Sequence, residues 1–461
     1  MQNNLIETRP IFATLTEQPS SNYPPIVKAP RFWQLLQWTF RPLEFLDNCA
    51  QHYGDCFITR IGKAESVFFS HPEAIAHIFS NPELFDSGRA QQALKYSLGQ
   101  SSVLTLDGEQ HRQRRQLLMP PFHGERMRNY GDVICQITEQ VTHQWQPRDV
   151  VTLLPFMNEI TLEVILKVVF GLSEGERYQQ LKDNIAQFLK IGADPFSYML
   201  TFFPGIMQDR GPWKPLTLFL KRRQQVDELL YAEIRERRAR FDPNRTDILT
   251  LLISAKDEAG DSLTDQELRD ELMTMLLAGH DSSAATLSWT LYMLHASPTA
   301  KNQLLNELAS VDDPTAITRL PYLNAVCSEA LRLRSAGPTV AVRVTNQPVK
   351  ITGYELPANT VILPCQYLTH HREDIYPNPR QFQPERFLER QYSPYEYYPF
   401  GGNNRRCIGA AFAGFEMKLV LATILKRYLL ELAEKPPISA VRRGVNISPK
   451  GGVRMRVLQR L

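Results

Sequence analysis

Thr264-Asp265-Gln266-Glu267 is a capping box, in which the Thr and Glu side chains satisfy orphan backbone N–H groups at a helix start. Apolar positions then recur at helical spacing: Leu268, Leu272, Met275, Leu276 and, past Gly279, Leu287, Leu291 and Leu294. A helix from there to about His295 is on the order of 45 Å long. It crosses a whole domain, so the rest of the chain has to be built around it. Elsewhere between 125 and 310 the periodic segments also have the helical period, and Pro42 to Tyr53, 73–80 and the stretch from about 108 read the same way. Strand-like pieces are few: a hairpin over Cys56 to Phe69 around Gly62, then 339–345, 348–353, 360–363 and 445–456. Repeats and low-complexity linkers are absent. The expectation is a mainly α protein with small β-sheets, one large domain over 31–461, preceded by an extended Pro-rich arm over 1–30.

Composition narrows the class. The chain has 461 residues, 43% hydrophobic and 22% charged, which excludes a disordered or fibrous protein. A net charge of 52 − 49 = +3 gives no case for nucleic acid. The six cysteines form no CxxC pair and no disulfide framework, so a reducing compartment fits. The first thirty residues lack a basic start followed by an apolar run, and no stretch reaches the ~18 apolar residues of a membrane span. Phe32 to Phe40 (FWQLLQWTF) reads as a tucked-in amphipathic segment. A soluble, cytoplasmic protein is expected.

Cys407 carries the sharpest chemical signal. The turn-rich Phe400-Gly401-Gly402-Asn403-Asn404-Arg405-Arg406 delivers it to the start of an apolar helix, Ala410 to about Leu432. A helix N-terminus and two arginines both lower a thiol pKa, so the setting favours a thiolate. The middle of the long helix carries Ala278-Gly279-His280-Asp281-Ser282-Ser283, poor helix formers in a costly place, which marks a functional site. Gly279 would let a flat group approach the backbone, and Asp281 and Ser282 offer an acid beside a hydroxyl, the parts of a proton relay. Glu329 and Arg332 share a helix face at i, i+3. His111 and Arg115, four apart, suit an anionic group.

These segments, in this order and spacing, resemble a cytochrome P-450, and Pro384-Glu385-Arg386-Phe387 is similar to a further signature of that family. The resemblance implies haem b between the long central helix and the cysteine-loop helix, with Cys407 as axial thiolate ligand of the iron. Phe400 would pack beside the sulfur and Gly409 would let the following helix pass close. Arg405, His111 and Arg115 would bind the haem propionates, with Arg343, five residues after Pro338, as a fourth. Glu329, Arg332 and Arg386 would form a buried structural network. Two residues depart from the family pattern: Asn403 stands where glycine is usual, and Ser282 where threonine is usual. Asn tolerates left-handed backbone, so the turn can survive, whereas the missing methyl at Ser282 bears on how well oxygen is coupled to product.

The implied reaction is monooxygenation: O2 is used with Asp281 and Ser282 supplying protons, and hydroxyl is returned to an unactivated C–H bond. The electrons would come from a separate protein such as a ferredoxin or flavodoxin, docking on Arg112, Arg114 and Lys418. Ala278, with Leu276 or Leu277, and the 336–342 segment would line a pocket for a hydrophobic small-molecule substrate. The Ala-Gly-His-Asp segment is similar to the family's fatty-acid-oxidising branch, so a fatty acid or alkane comes first and a terpenoid second. The rival readings are a haem-thiolate isomerase or dehydratase that needs no O2, and a haem sensor or carrier.

Overall fold

The structure, a computed structural model, describes residues 22–61, 65–122, 127, 129–172, 174–200, 202 and 215–461. Gly62, and the arm up to residue 21, lie outside the described residues.

The central helix runs unbroken from Asp265 to His295, and its capping box is formed: Glu267 N–H donates to Thr264 Oγ1 at 3.2 Å and Thr264 N–H to Glu267 Oε2 at 2.9 Å. Leu268, Leu272 and Leu276 are buried, as are Leu287, Leu291 and Leu294. Around this axis sit the helices Gly108–Leu118, Leu153–Phe170, Pro215–Ala239, Pro321–Leu333 and Ala410–Arg427. Most of the apolar core lies among them.

A five-stranded sheet flanks this helical body, in the spatial order Cys56–Thr59, Ser66–Phe69, Val361–Pro364, Arg343–Thr345 and Phe85–Asp86. The first pair is the expected hairpin, with Cys56 opposite Phe69. Ile26 bridges to Ile58, and Val27 N–H donates to Ile58 O at 2.9 Å, so residues 22–30 lie along that sheet. Arg31–Phe40 is a helix with Leu35 and Trp38 buried, while Phe32 and Trp33 are 64% and 53% exposed. Only one face of that segment is tucked in.

Several boundaries differ from the sequence expectation. The cysteine-loop helix stops at Arg427, because Tyr428–Leu432 becomes a strand against Arg454–Arg460. The 339–345 segment is a strand only over Arg343–Thr345, and 348–353 is part of a hairpin of Val349–Ile351 with Tyr354–Leu356. The strand Val150–Thr152, inside the region whose periodic segments read as helix, pairs with Arg454–Arg456. Among the described residues no helix is long and apolar enough to cross a membrane.

Candidate active site

The cysteine loop is closed by its own backbone. Gly401 N–H donates to Tyr398 O, Arg406 N–H to Asn403 O, and Cys407 N–H to Phe400 O at 2.9 Å. Asn403 takes φ +52°, the left-handed conformation expected of it, and its Nδ2 donates to Phe79 O. A Cβ on Gly402 would lie 2.2 Å from the Phe79 ring, so only glycine fits there. The helix Pro72–Ser80 thus anchors the loop through Phe79. Phe400 packs partly buried against the main core. A Cβ on Gly409 would meet no protein atom within 4 Å.

Cys407 is solvent-accessible, but its thiol is not depressed as expected. Although the residue is open to solvent, the protein packed around the sulfur disfavours the thiolate, and this largest influence pushes the thiol pKa up. The Gly409 N–H and the charges of Arg115 and Arg406 pull it down and are outweighed. Coordination to a metal cation would deprotonate such a thiol outright.

Beside the sulfur the chain gathers cations. Arg405 is largely buried and donates to Leu106 O at 2.7 Å and to the Asp107 carboxylate. Arg343, 4% exposed, donates to Ala341 O at 2.6 Å, and burial followed by the charge of Arg405 lowers it to about 9. Arg115 is lowered by burial and feels both Cys407 and Arg406. His111 is held down at about 3, first by burial and then by Arg405, Arg115 and Arg343, against the opposing pull of Asp107. These mutual influences place the four predicted residues in one cluster. Among the described residues no carboxylate pairs with Arg115 or Arg343. Asp107 is itself committed to the backbone N–H groups of Ser87, Gly88 and Arg89. Among the described residues, Asp107 and Asp86 act on Arg405, and Asp86 is paired with Arg89, so the guanidinium groups of Arg115, Arg343, Arg405 and Arg406 outnumber the carboxylates around them. Carboxylates from a bound group would balance this excess, and haem b presents two as its propionates, so the residues present fit that group.

Along the central helix, Ala278 is exposed in mid-helix and Leu277 partly so, whereas Leu276 is buried in the core and does not line the space. The helix passes 278–283 without interruption. What approaches Gly279 from within the protein is Ile165, whose Cδ1 would stand 3.0 Å from an added Cβ. Ser282 Oγ donates to Ala278 O at 2.7 Å. Asp281 lies beside it with its side chain 22% exposed.

Glu329 binds Arg332 twice, at 2.7 and 2.8 Å, and Arg386 Nε at 3.1 Å. Arg332 also donates to His370 O and Pro379 O, which ties the helix Pro321–Leu333 to the chain leading toward the cysteine loop.

The expected docking patch does not exist as drawn. Arg114 is 8% exposed and pairs with Glu267 and Glu271 of the central helix. Lys418 Nζ is tied to Thr318 O and Asn324 Oδ1, and Arg112 is paired with Glu109 and Glu258. Three residues of the site escaped the sequence reading. Asp107 was visible only as part of a turn. Thr161 contacts His280 from another helix, and Glu416, fully buried, bonds Ser283 and is pushed up to about 8 by burial.

The family model described as Cytochrome P450 matches residues 24–453. Cytochrome P450 135B1 of Mycobacterium tuberculosis is 38% identical over 426 residues, covering 90% of this chain and 87% of that protein. Cytochrome P450 135A1 of the same organism is 34% identical over 449 residues, 95% and 96% of the two chains. Among solved structures, retinoic acid bound cyanobacterial CYP120A1 aligns with a TM-score of 0.82 at 24% identity, covering 96% of this chain and 100% of that one. The cytochrome P450DA heme domain aligns at 0.82 and 22% identity, covering 95% and 98%.

Proposed function

Since the chain belongs to the cytochrome P450 family, we propose that it oxidises a hydrophobic small molecule, a fatty acid or alkane ahead of a terpenoid, with electrons from a separate ferredoxin or flavodoxin. Family membership makes it a haem-dependent monooxygenase, an oxidoreductase that uses O2, a substrate and a redox partner. Haem b supplies the oxygen chemistry when bound, and a thiolate ligand favours O–O cleavage.

The chain's own residues do the rest. Cys407 would hold the iron. Arg115, Arg343 and Arg405 would neutralise the propionates, and His111 would donate a hydrogen bond to one. The excess of guanidinium groups over carboxylates beside Cys407, among the described residues, is the observation that carries this assignment. Phe400 would shield the sulfur, and Gly409 would keep the helix start free of side chain. Asp281 and Ser282 would hold and pass protons. The Ser282 hydroxyl spends its hydrogen on Ala278 O, which leaves its lone pairs to accept.

The apolar, partly exposed Leu277 and Ala278 and the 336–342 segment support a hydrophobic substrate. The Ala-Gly-His-Asp segment supports placing fatty acids and alkanes first. Six free cysteines suit a reducing compartment such as the cytoplasm. Titration of the purified haem protein with fatty acids, alkanes and terpenes, read as the spin-state change of the Soret band, tests the order. Saturable shifts with fatty acids or alkanes are expected. Strong shifts with terpenes alone would reverse it.

A further inference from the structure

His280 has no part in the roles assigned above, yet it is built into the helix beside Asp281 with unusual care. It is 5% exposed. Its Nδ1 lies 3.0 Å from Thr161 Oγ1 on the helix Leu153–Phe170, and its Nε2 lies 3.6 Å from Asp281 Oδ1. The two helices are in close contact at this level, with Ile165 against Gly279, so the ring has little room to swing.

Hydrogen accounting gives the ring one consistent state. A carboxylate only accepts, so a neutral imidazole facing it must present N–H from Nε2. That leaves Nδ1 bare and in need of a donor. The Thr161 hydroxyl is the donor within reach; its other neighbours, the carbonyls of Met157 and Asn158 in its own helix and of His280 at 3.3 Å on the facing one, have helical backbone N–H partners. The surroundings also disfavour the charged ring. Burial lowers its pKa most, Asp281 on its own helix opposes, Arg443 on the strand Ala440–Arg443 adds to the lowering, and Thr161 on the facing helix brings no charge.

We propose that His280 is a positioning residue for Asp281: an imidazole pinned by the Thr161 hydroxyl, whose Nε2–H faces the carboxylate and biases where it stands. This rests on the reading of Asp281 as the acid of the proton relay. The chain Thr161 → His280 → Asp281 then runs from a neighbouring helix to the relay, its last link an electrostatic contact at 3.6 Å that biases where the carboxylate stands.

The test uses the haem-loaded protein and four variants: Asp281→Asn, His280→Gln, His280→Asn and the milder Thr161→Val. Gln places its amide N–H near the position of Nε2, whereas Asn reaches only that of Nδ1. In the carbon-monoxide-bound ferrous protein, nitrogen NMR of isotope-labelled histidine should show His280 protonated on Nε2 from pH 6 to 8, with its resonance shifted by both Asp281→Asn and Thr161→Val. A proton on Nδ1, or indifference to both substitutions, would overturn the proposal. In turnover, His280→Gln should keep most of the product formed per reductant consumed, while His280→Asn should lose it several-fold, toward the level of Asp281→Asn. If Asp281→Asn wastes reductant but neither His280 variant does, the positioning role falls and the relay stands. If Asp281→Asn itself keeps full coupling, the relay reading falls, and the NMR contact still decides whether His280 holds that side chain.

Discussion

Arg332 grips Glu329 through two parallel bonds, Nε to Oε2 at 2.7 Å and Nη2 to Oε1 at 2.8 Å, with both side chains fully buried. Arg386 shares the same carboxylate, and the remaining Arg332 donors hold carbonyls of the segment leading to the cysteine loop. Removing Arg332 breaks a buried bidentate pair and strands Glu329 Oε2 and the carbonyls of His370 and Pro379, at a cost of about 3–5 kcal/mol. Arg332→Ala is therefore expected to be insoluble or haem-free, and Arg332→Lys nearly as poor, because an ammonium cannot reproduce the fork. Haem content per chain measures this, and a soluble Arg332→Ala protein with full haem would refute it.

The loop predictions turn on Phe79. In Gly402→Ala the new methyl would stand 2.2 Å from a ring that is itself 3% exposed. The expected cost is roughly 1–3 kcal/mol, with loss of haem. Asn403→Gly exchanges a side-chain bond to Phe79 O for an easier φ and should stay within about 1 kcal/mol of the parent. Urea unfolding midpoints and haem content of the two variants give the comparison.

Acid should destabilise the fold through a buried histidine away from the propionates. His370 has its folded pKa lowered from 6.5 to about 3, first by burial and then by the charge of Arg332. Between those values the unfolded chain binds more protons than the folded one, so stability rises with pH there and is lost as pH falls from about 6.5 toward 3. The site adds a slope of about 1.4 kcal/mol per pH unit within the window. His370→Gln, whose amide oxygen can still accept from Tyr398 N–H, should flatten the acid limb. An unchanged slope would contradict this.

Asp281→Asn and Ser282→Ala should bind haem normally and consume reductant, yet release peroxide in place of product. General acid–base roles of this kind contribute on the order of 10²–10⁴ in rate. Peroxide and product measured together against reductant consumed decide the matter. Undiminished coupling in both variants would remove the relay.

How much of this could be read from the residues in order depended on where each one's partner lies. The central helix was legible because its signals are local: Thr264 caps Glu267 three residues on, and Leu268, Leu272 and Leu276 follow at helical spacing. The cysteine loop was legible for the same reason, since Gly401, Gly402 and Asn403 punctuate it in place. Arg114 was misread as surface charge because its partners, Glu267 and Glu271, lie 153 and 157 residues away. Tyr428–Leu432 was misread as helix because an apolar run continues the pattern, and only pairing with Arg454–Arg460 makes it a strand. Thr161 beside His280, 119 residues apart, left no local trace at all. The thiol of Cys407 was misjudged because charges are visible in sequence and burial is not.

The central claim is that Cys407 holds haem iron as a thiolate within the cationic cluster. The absorption spectrum of the purified, dithionite-reduced protein under carbon monoxide tests it most directly. The account predicts a strongly red-shifted Soret band, lost in Cys407→Ser. An ordinary Soret position in the parent protein, or no Soret band at all, would contradict it.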